Sequence, residues 1–214
     1  FDAFSTHRLV VAMNNTAIAS VLAANFPSYD QVLIIANSNY YGGSGGQHAL
    51  STIDPASKDI AVHEVGHSFS SLADEYYAGD NYAAEKANMT AQTNPATVKW
   101  TNWMGYNGTG IIQHCCGGNS ATWYKPHASC KMNFLASPFC SVCSQAFIET
   151  IHSKVNPIVS YSPPGPIANS PNQFATFKLT KVMKTVPNSL RTIWTLDGNI
   201  VAENVDSFVL DQSL

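Results

Sequence analysis

Residues 63–67 read His-Glu-Val-Gly-His, and this pattern demands a particular local structure. On an α-helix, residues four apart lie on one face about one turn from each other, so both imidazoles reach a single ion. The neighbouring Ile60 and Phe69 are apolar and predict a helix of the core, where two unpaired histidines would be costly to bury. The pattern therefore predicts a metal site built on His63 and His67.

Zinc is the metal expected there, because it accepts imidazole nitrogens and, in catalytic sites, takes three protein ligands and a water. Glu64 projects beside that water and is the predicted general base, which takes a proton as the metal lowers the pKa of the water. The alternative is a chance match on an ordinary helix. The third ligand decides between the two interpretations.

Asp74 is the predicted third ligand. In zinc peptidases of the metzincin type, the chain turns after the second histidine, and the third ligand comes from that turn. The strict spacing would put this ligand at Ala73, so a turn one residue longer brings Asp74 into place. A carboxylate just after a helix faces the negative end of the helix dipole, and metal binding explains that position. Glu75, His114 and His127 stay open as alternatives.

Composition restricts the class of protein. The 214 residues include 12 % charged side chains and carry a net charge of −3 without a long basic run, so nothing indicates a nucleic-acid or membrane-surface partner. No stretch approaches the roughly 18 apolar residues of a membrane span. The chain opens at Phe1 without Met, which indicates a processed or truncated product.

Cysteines and glycosylation sequons indicate an extracellular, secreted protein. Five cysteines lie between residues 115 and 143. N-linked glycans are predicted at three Asn-x-Thr sequons, at Asn14, Asn88 and Asn107. Both features are typical of an oxidising compartment.

The cysteines predict disulfides that tie down an irregular region over residues 78–129, with one cysteine left over. Cys140-x-x-Cys143 also fits a redox pair or a second zinc site. A structural zinc would need two more well-spaced ligands, and the vicinal pair Cys115-Cys116 offers awkward geometry for one.

Apolar patterning predicts the other elements of the chain. The expected elements are a helix over 12–25, a strand buried on both faces over 31–37, a helix from Asp54 towards Leu72, and a helix after Cys140 with Cys143, Phe147, Thr150 and Ile151 on its apolar face. Residues 41–46, Tyr-Gly-Gly-Ser-Gly-Gly, read either as a mobile turn or as a rim that lets a peptide backbone come close.

A second segment follows a proline-rich junction at residues 160–168. Strands are predicted over 174–182, 191–199 and 207–212, with a turn at Asp197-Gly198. These strands are too few to close a sandwich. We therefore expect a catalytic domain over 1–157 and a small or truncated all-β, sandwich-like segment over 158–214.

Several short segments occur in order along roughly the first 155 residues. They are Tyr41-Gly-Gly-Ser-Gly-Gly, His63-Glu-Val-Gly-His-Ser-Phe, Leu72-Ala-Asp-Glu-Tyr-Tyr, Lys99-Trp-Thr-Asn-Trp103, Tyr124-Lys-Pro, Cys130-Lys-Met132 and Pro138-Phe-Cys-Ser-Val-Cys143. In this combination the chain closely resembles the IgA-peptidase-type zinc metallopeptidases of bacteria and fungi.

The resemblance implies an α/β, metzincin-like zinc peptidase catalytic domain. It implies one zinc ion held by His63, His67 and Asp74, Glu64 as the base, and Met132 in a Met-turn beneath the metal. It also implies that the first strand and helix of the domain lie upstream of Phe1. Members of the family usually carry glycine in the turn after the second histidine, where this chain has Ser70-Ser71. A left-handed Ser71 would cost about 1 kcal/mol.

Two functions are compatible with these features. The first is a secreted zinc endopeptidase that cleaves an extended protein or peptide substrate bound at a sheet edge near residues 40–46. The candidates for stabilising the oxyanion or gripping substrate are Tyr76, Tyr77, Tyr124 and His127. The second is a non-catalytic, lectin-like carbohydrate-binding protein on a retained peptidase scaffold, suggested by Trp and Tyr beside Asn and Gly over residues 76–124. The intact Glu64 speaks against it.

Overall fold

The computed structural model describes residues 1–167, 174–181 and 191–211. The chain divides into two compact units, Phe1–Ile151 and His152–Leu214. Helices and small sheets are mixed, so the expected α/β class is confirmed, while the finer relation to metzincins stays a prediction. No helix in the described ranges is long and apolar enough to cross a bilayer.

The first unit contains three α-helices and five short strands. In chain order these are α1 (Asn15–Asn25), β1 (Leu33–Ile35), β2 (Gly43–Ser44), β3 (Ala49–Ser51), α2 (Ser57–Ser70), β4 (Ile112–Gln113), β5 (Tyr124–Lys125) and α3 (Ser141–Lys154). Short 3₁₀ turns occur at Ala3–Ser5, Asp80–Tyr82, Thr101–Trp103, Tyr106–Gly108 and Asn119–Thr122. The order β1-β3-β2 defines one sheet, with β1 parallel and β2 antiparallel to β3, and α2 packs against β3.

The strand expected over 31–37 forms as β1, but the prediction that it is buried on both faces is wrong. Leu33 is 42 % exposed and Ile35 is 60 % exposed, and only Ile34 turns inward. β1 is the edge strand of its sheet, so one face lacks cover within the described residues. A continuous apolar run does not fix how many faces of a strand are covered.

The helix α1 begins three residues later than expected. The side chain of Asn14 accepts a hydrogen bond from the Ala17 N–H at 2.9 Å and so caps the helix. No residue of α1 is buried, although Ile18, Val21 and Leu22 are apolar.

The helix α2 carries the histidine pattern and ends in a left-handed residue. Asp54 accepts from the Ala56 N–H at 2.8 Å and so shapes the turn that precedes the helix. At the other end, Ser71 has φ 52° and ψ 32°, as anticipated for this turn. The Leu72 N–H then donates to the Gly66 carbonyl at 3.1 Å, which turns the chain back beneath α2.

The helix α3 supplies much of the core, but its buried face differs in part from the expected one. Cys143 is fully buried and Phe147 packs against the core, whereas Ile151 is 46 % exposed. Val142 and Ala146 are buried in its place. The buried residues of α3 therefore lie in the first half of the helix.

Residues 78–129 are largely irregular, as predicted, but disulfides across the region are not what orders them. Cys115 bonds to its neighbour Cys116, and the three other cysteines form no disulfide. Packing orders the segment instead, since Val98 and Trp100 are 1 % exposed and Trp100 Nε1 donates to the Gly110 carbonyl at 2.9 Å. The expectation of several disulfides with one cysteine left over is therefore wrong.

The second unit is built from strands. They are β6 (Ile158–Ser162), β7 (Phe174–Lys181), β8 (Ile193–Leu196), β9 (Asn199–Glu203) and β10 (Ser207–Asp211). One sheet has the order β10-β7-β6, and β8 pairs with β9 as a hairpin.

Of the features predicted for this unit, the hairpin turn agrees with the structure and the junction agrees only in part. The hairpin turn at Asp197-Gly198 is confirmed, because φ is positive at both residues, as in the two-residue turns that match strand twist. The expected proline-rich junction is partly wrong, since β6 extends to Ser162. The predicted ends at Ala168, Val182 and Gln212 lie outside the described residues, and a sandwich stays a prediction.

Candidate metal centre

His63 and His67 present their Nε2 atoms to one point beside α2. The two Nε2 atoms lie 3.1 Å apart, and the rings meet edge to face with centroids 4.8 Å apart. His63 is 4 % exposed, so the pair is held in the interior rather than in bulk water. The i, i+4 spacing on a helix produces this convergence, as the sequence predicted.

Asp74 joins the two histidines from the turn that follows the helix. Its Oδ1 lies 3.0 Å from His63 Nε2 and 3.1 Å from His67 Nε2. A tetrahedral zinc ion with ligands near 2.0 Å separates them by roughly 3.3 Å, so the three atoms fit one ion. The donor set of two imidazoles and a carboxylate is one that catalytic zinc sites use.

Backbone carbonyls fix the tautomer of both histidines. Nδ1 of His63 donates to the Lys131 carbonyl at 3.0 Å, and Nδ1 of His67 donates to the Leu72 carbonyl at 2.7 Å. A carbonyl accepts only, so each Nδ1 carries a proton and each Nε2 is the ring nitrogen left to bind a metal. The carbonyls of Lys131 and Leu72 therefore orient the two candidate ligands.

The electrostatics of the centre favour a bound positive charge. Burial by itself lowers the pKa of His67, but the hydrogen bond and charge of Asp74 outweigh burial and raise that pKa to about 9. Burial opposes ionisation of Asp74 as well, yet its hydrogen bonds to His63 and His67 hold the pKa of its carboxyl well below the usual range. The centre is built to place a cation between a carboxylate and two imidazoles.

Glu64 lies beside the three in a cleft of about 730 Å³. Burial raises the pKa of Glu64, while the neighbouring His63 and His67 lower it. A carboxylate that is partly withdrawn from water is a stronger base than an exposed one. This is the environment expected of a group that takes and returns a proton.

The glycine-rich segment 41–46 packs onto α2. A Cβ added at Gly43 would lie 2.5 Å from Ile60 Cγ2, and one added at Gly45 would lie 2.3 Å from the Cβ of His67. The glycines therefore allow the backbone of this segment to approach His67, a candidate metal ligand. The alternative of a mobile turn does not fit this close packing.

The sheet edge expected to receive substrate near residues 40–46 is already paired at Gly43. The Gly43 N–H donates to the Arg8 carbonyl at 3.1 Å, and the Val10 N–H donates to the Gly43 carbonyl at 3.3 Å. These bonds occupy the backbone of β2 on its outer side. A substrate strand therefore cannot pair with Gly43, because both of its backbone groups are taken, and binding along the rest of residues 40–46 stays a prediction.

Met132 is fully buried against α2, under the centre. A Cβ added at Gly66 would lie 2.8 Å from the Met132 sulfur, so the glycine of the histidine pattern makes room for this side chain. The structure thus brings the residue implied by the resemblance against Gly66, which lies between the two histidines in the sequence.

The alternative third ligands lie elsewhere. His114 Nε2 donates to the backbone carbonyls of Asp74 and Tyr76, at 3.0 and 3.1 Å, and so stabilises the turn that contains Asp74. His127 Nε2 donates to the Asn107 carbonyl at 2.9 Å. Glu75 points into a separate buried group of side chains.

Of the proposed substrate-contacting residues, Tyr76 lines the cleft, with its ring stacked 6.2 Å from that of His63. Tyr77, Tyr124 and His127 are not among the side chains that line it. Arg8 also lines the cleft, with its guanidinium 5.7 Å from the Tyr76 ring centroid. Sequence reasoning missed Arg8, because an isolated arginine far from the histidine pattern carries no signal.

The sequon at Asn88 is buried, so the predicted glycan there is wrong. Asn88 is 0 % exposed, and its amide accepts from the Ala73 N–H and donates to the Ala73 carbonyl and to Glu75. A sugar on that nitrogen would break these bonds and open the core. Asn14 and Asn107 are exposed, and glycans there stay predictions.

A family model described as IgA Peptidase M64 matches residues 1–112 of the chain. The matched residues include α2, the turn at Asp74 and the glycine-rich segment. A search of curated proteins gave no match.

Proposed function

The chain belongs to the IgA peptidase M64 family, and on that premise we propose that it is a secreted zinc metalloendopeptidase. Membership makes it a peptidase that acts on protein or peptide substrates. The observation that carries the finer proposal is the convergence of His63 Nε2, His67 Nε2 and Asp74 Oδ1 within 3.1 Å of one another, beside Glu64.

The ion would be held by His63, His67 and Asp74. The hydrogen bonds that orient the two histidines are already present without it. Zinc supplies a Lewis acid that polarises the scissile carbonyl and lowers the pKa of a bound water. The Lys131 and Leu72 carbonyls accept from Nδ1 of each imidazole and so turn each Nε2 inward. The protein therefore needs little rearrangement when the metal binds.

Glu64 performs the proton transfers. Its carboxylate takes a proton from the attacking water while the water oxygen adds to the peptide carbonyl carbon. It then gives this proton to the amide nitrogen as the C–N bond breaks, which leaves a new carboxylic acid, which loses its proton to solvent, and a new amine. Tyr76 lines the same cleft, and burial raises its pKa, so its phenol stays protonated and would donate to the carbonyl oxygen of a bound substrate.

The lectin-like alternative loses the support of its tryptophans. It relied on the aromatic residues between 76 and 124, but Trp100 is 1 % exposed. Trp103 and Trp123 are half-buried and pack against core clusters. These indoles stabilise the fold, so they are not available to stack on a sugar.

Replacement of Glu64 by Gln tests the proposal. We expect wild-type protein to cleave an unfolded protein substrate, to lose cleavage with a chelator and to regain it with zinc. Glu64→Gln should lower kcat by at least about 10³-fold, because the amide cannot take the proton, while the zinc content stays that of the wild type. A matched control is Glu149→Gln on the exposed side of α3, which should leave cleavage unchanged.

Two results would contradict this function. Cleavage that persists in Glu64→Gln would remove the base from the mechanism. Wild-type protein that binds zinc but cleaves no peptide would remove the activity itself.

A further inference from the structure

A second group of potential metal ligands lies outside the centre already described. Glu75, Cys130, Cys140 and Cys143 each offer one ligand atom, and these atoms all lie within 4.8 Å of one another. All four residues are buried, with Cys140 the most exposed at 8 %. The three cysteines lie beyond residues 1–112, so the family match does not extend to them.

The distances in the group suit a shared ion better than a covalent bond. Cys130 Sγ lies 3.6 Å from Cys143 Sγ, and Cys143 Sγ lies 3.4 Å from Glu75 Oε1. A disulfide needs about 2.05 Å between its sulfurs. The corners of a tetrahedral zinc site lie roughly 3.8 Å apart for two thiolates and roughly 3.5 Å apart for a thiolate and a carboxylate.

Glu75 has a buried oxygen with no partner among the described residues. Its Oε1 accepts from the Asn88 amide at 2.9 Å, but its Oε2 has no hydrogen bond. An unsatisfied carboxylate oxygen in a core is costly unless a cation meets it. Glu75 itself is 0 % exposed, so bulk water cannot hydrogen-bond to this oxygen.

The charges around the group point the same way. Lys125 is 7 % exposed and donates through Nζ to the Glu75 carbonyl, at 2.6 Å. A bound ion displaces the protons of the group, and the resulting carboxylate and three thiolates carry four negative charges, which a divalent cation and the Lys125 ammonium together reduce to one. Thiolate-rich sets select zinc, and four protein ligands are typical of a structural site.

We propose that Glu75, Cys130, Cys140 and Cys143 form a second, structural zinc site. The Cys-x-x-Cys pair at the start of α3 supplies two ligands, and the sequence requirement for two more is met by Cys130 and Glu75. This site goes beyond the peptidase function, since it takes no part in the chemistry.

The position of the second site gives it a role in ordering the first. Glu75 directly follows Asp74, and its N–H donates to the Met132 carbonyl at 2.7 Å. Cys130 lies two residues before Met132. An ion held by Glu75 and Cys130 would therefore fix the Asp74 turn and the Met132 segment to α3.

Cobalt titration tests the proposal on the intact protein. Reduced, metal-free wild-type chain should bind about two Co²⁺ ions, one of which gives the near-ultraviolet band of thiolate-to-cobalt charge transfer. The centre of two histidines and one aspartate contains no sulfur and gives no such band. His67→Ala should lose one bound ion and keep the band.

Paired cysteine variants supply the matched comparison. The double variant Cys140→Ser, Cys143→Ser should lose the band and one bound ion. The double variant Cys115→Ser, Cys116→Ser should keep both, because these residues are bonded to each other outside the group. If the first double variant fails to fold, the wild-type titration still decides.

Two results would overturn the site. One is cobalt binding without a thiolate band in the reduced wild-type protein. The other is a disulfide between two of Cys130, Cys140 and Cys143 in the protein as purified, shown by mass spectrometry after alkylation of free thiols. Neither result depends on whether the protein cleaves peptides, so this proposal and the peptidase function fail separately.

Discussion

Ser71 ends α2 in a left-handed conformation, with φ 52°, where a Cβ meets the following carbonyl. Glycine has no Cβ, so Ser71→Gly should stabilise the first unit by about 1 kcal/mol, measured by urea unfolding. Ser70 is the matched control, because it lies in regular helix and is 8 % exposed. Ser70→Gly should destabilise the unit by about 1 kcal/mol. Equal effects of the two glycines would show that the Ser71 backbone is unstrained.

Two adjacent carboxylates show where residue-level prediction stops. Asp74 and Glu75 were both plausible third ligands, since spacing alone leaves one residue of freedom in a turn. The structure turns Asp74 towards the histidines and Glu75 towards the three cysteines. The orientation of the two carboxylates depends on Asn88. Its side-chain amide accepts from the Ala73 N–H and donates to the Ala73 carbonyl and to Glu75. No local sequence pattern predicts such a long-range contact.

The glycine-rich segment 41–46 offers a test at the scale of one element. Gly45→Ala would put a Cβ 2.3 Å from the Cβ of His67, so either the segment or the histidine must shift. We expect a loss of at least about 10-fold in kcat/KM and weaker zinc binding, because misplacement of a ligand is costly in a preorganised site. Gly46→Ala, next in the chain, meets nothing within 4 Å and should leave both unchanged. Wild-type behaviour of both variants would mean that the segment moves freely over α2.

Elements with a clear local sequence pattern were predictable, and features that depend on packing between distant segments were not. α2 and the Asp197-Gly198 hairpin follow from local pattern, because helical spacing and positive φ are local demands. The exposed face of β1 was missed, since the cover of a sheet depends on distant segments. The cysteines were misassigned for the same reason: Glu75, which lies beside three of them, is far away in the chain.

At the scale of the whole molecule, both groups of candidate ligands belong to the first unit, Phe1–Ile151. An ion that binds only the folded state stabilises it by about 2.7 kcal/mol at a concentration 100 times its Kd. Removal of metal should therefore raise the rate of amide hydrogen exchange by about 100-fold in peptides from α2, where exchange requires opening of the unit.

Peptides from β7 and β10 provide the internal control for this measurement. These strands pair with each other in the second unit, which includes neither ligand group. Chelation should leave their exchange unchanged when it is followed by mass spectrometry on the same sample. Equal acceleration in β7 and α2 would mean that the two units open together. No acceleration in α2 would mean that the ligands hold their places without metal, and stability would then owe nothing to zinc.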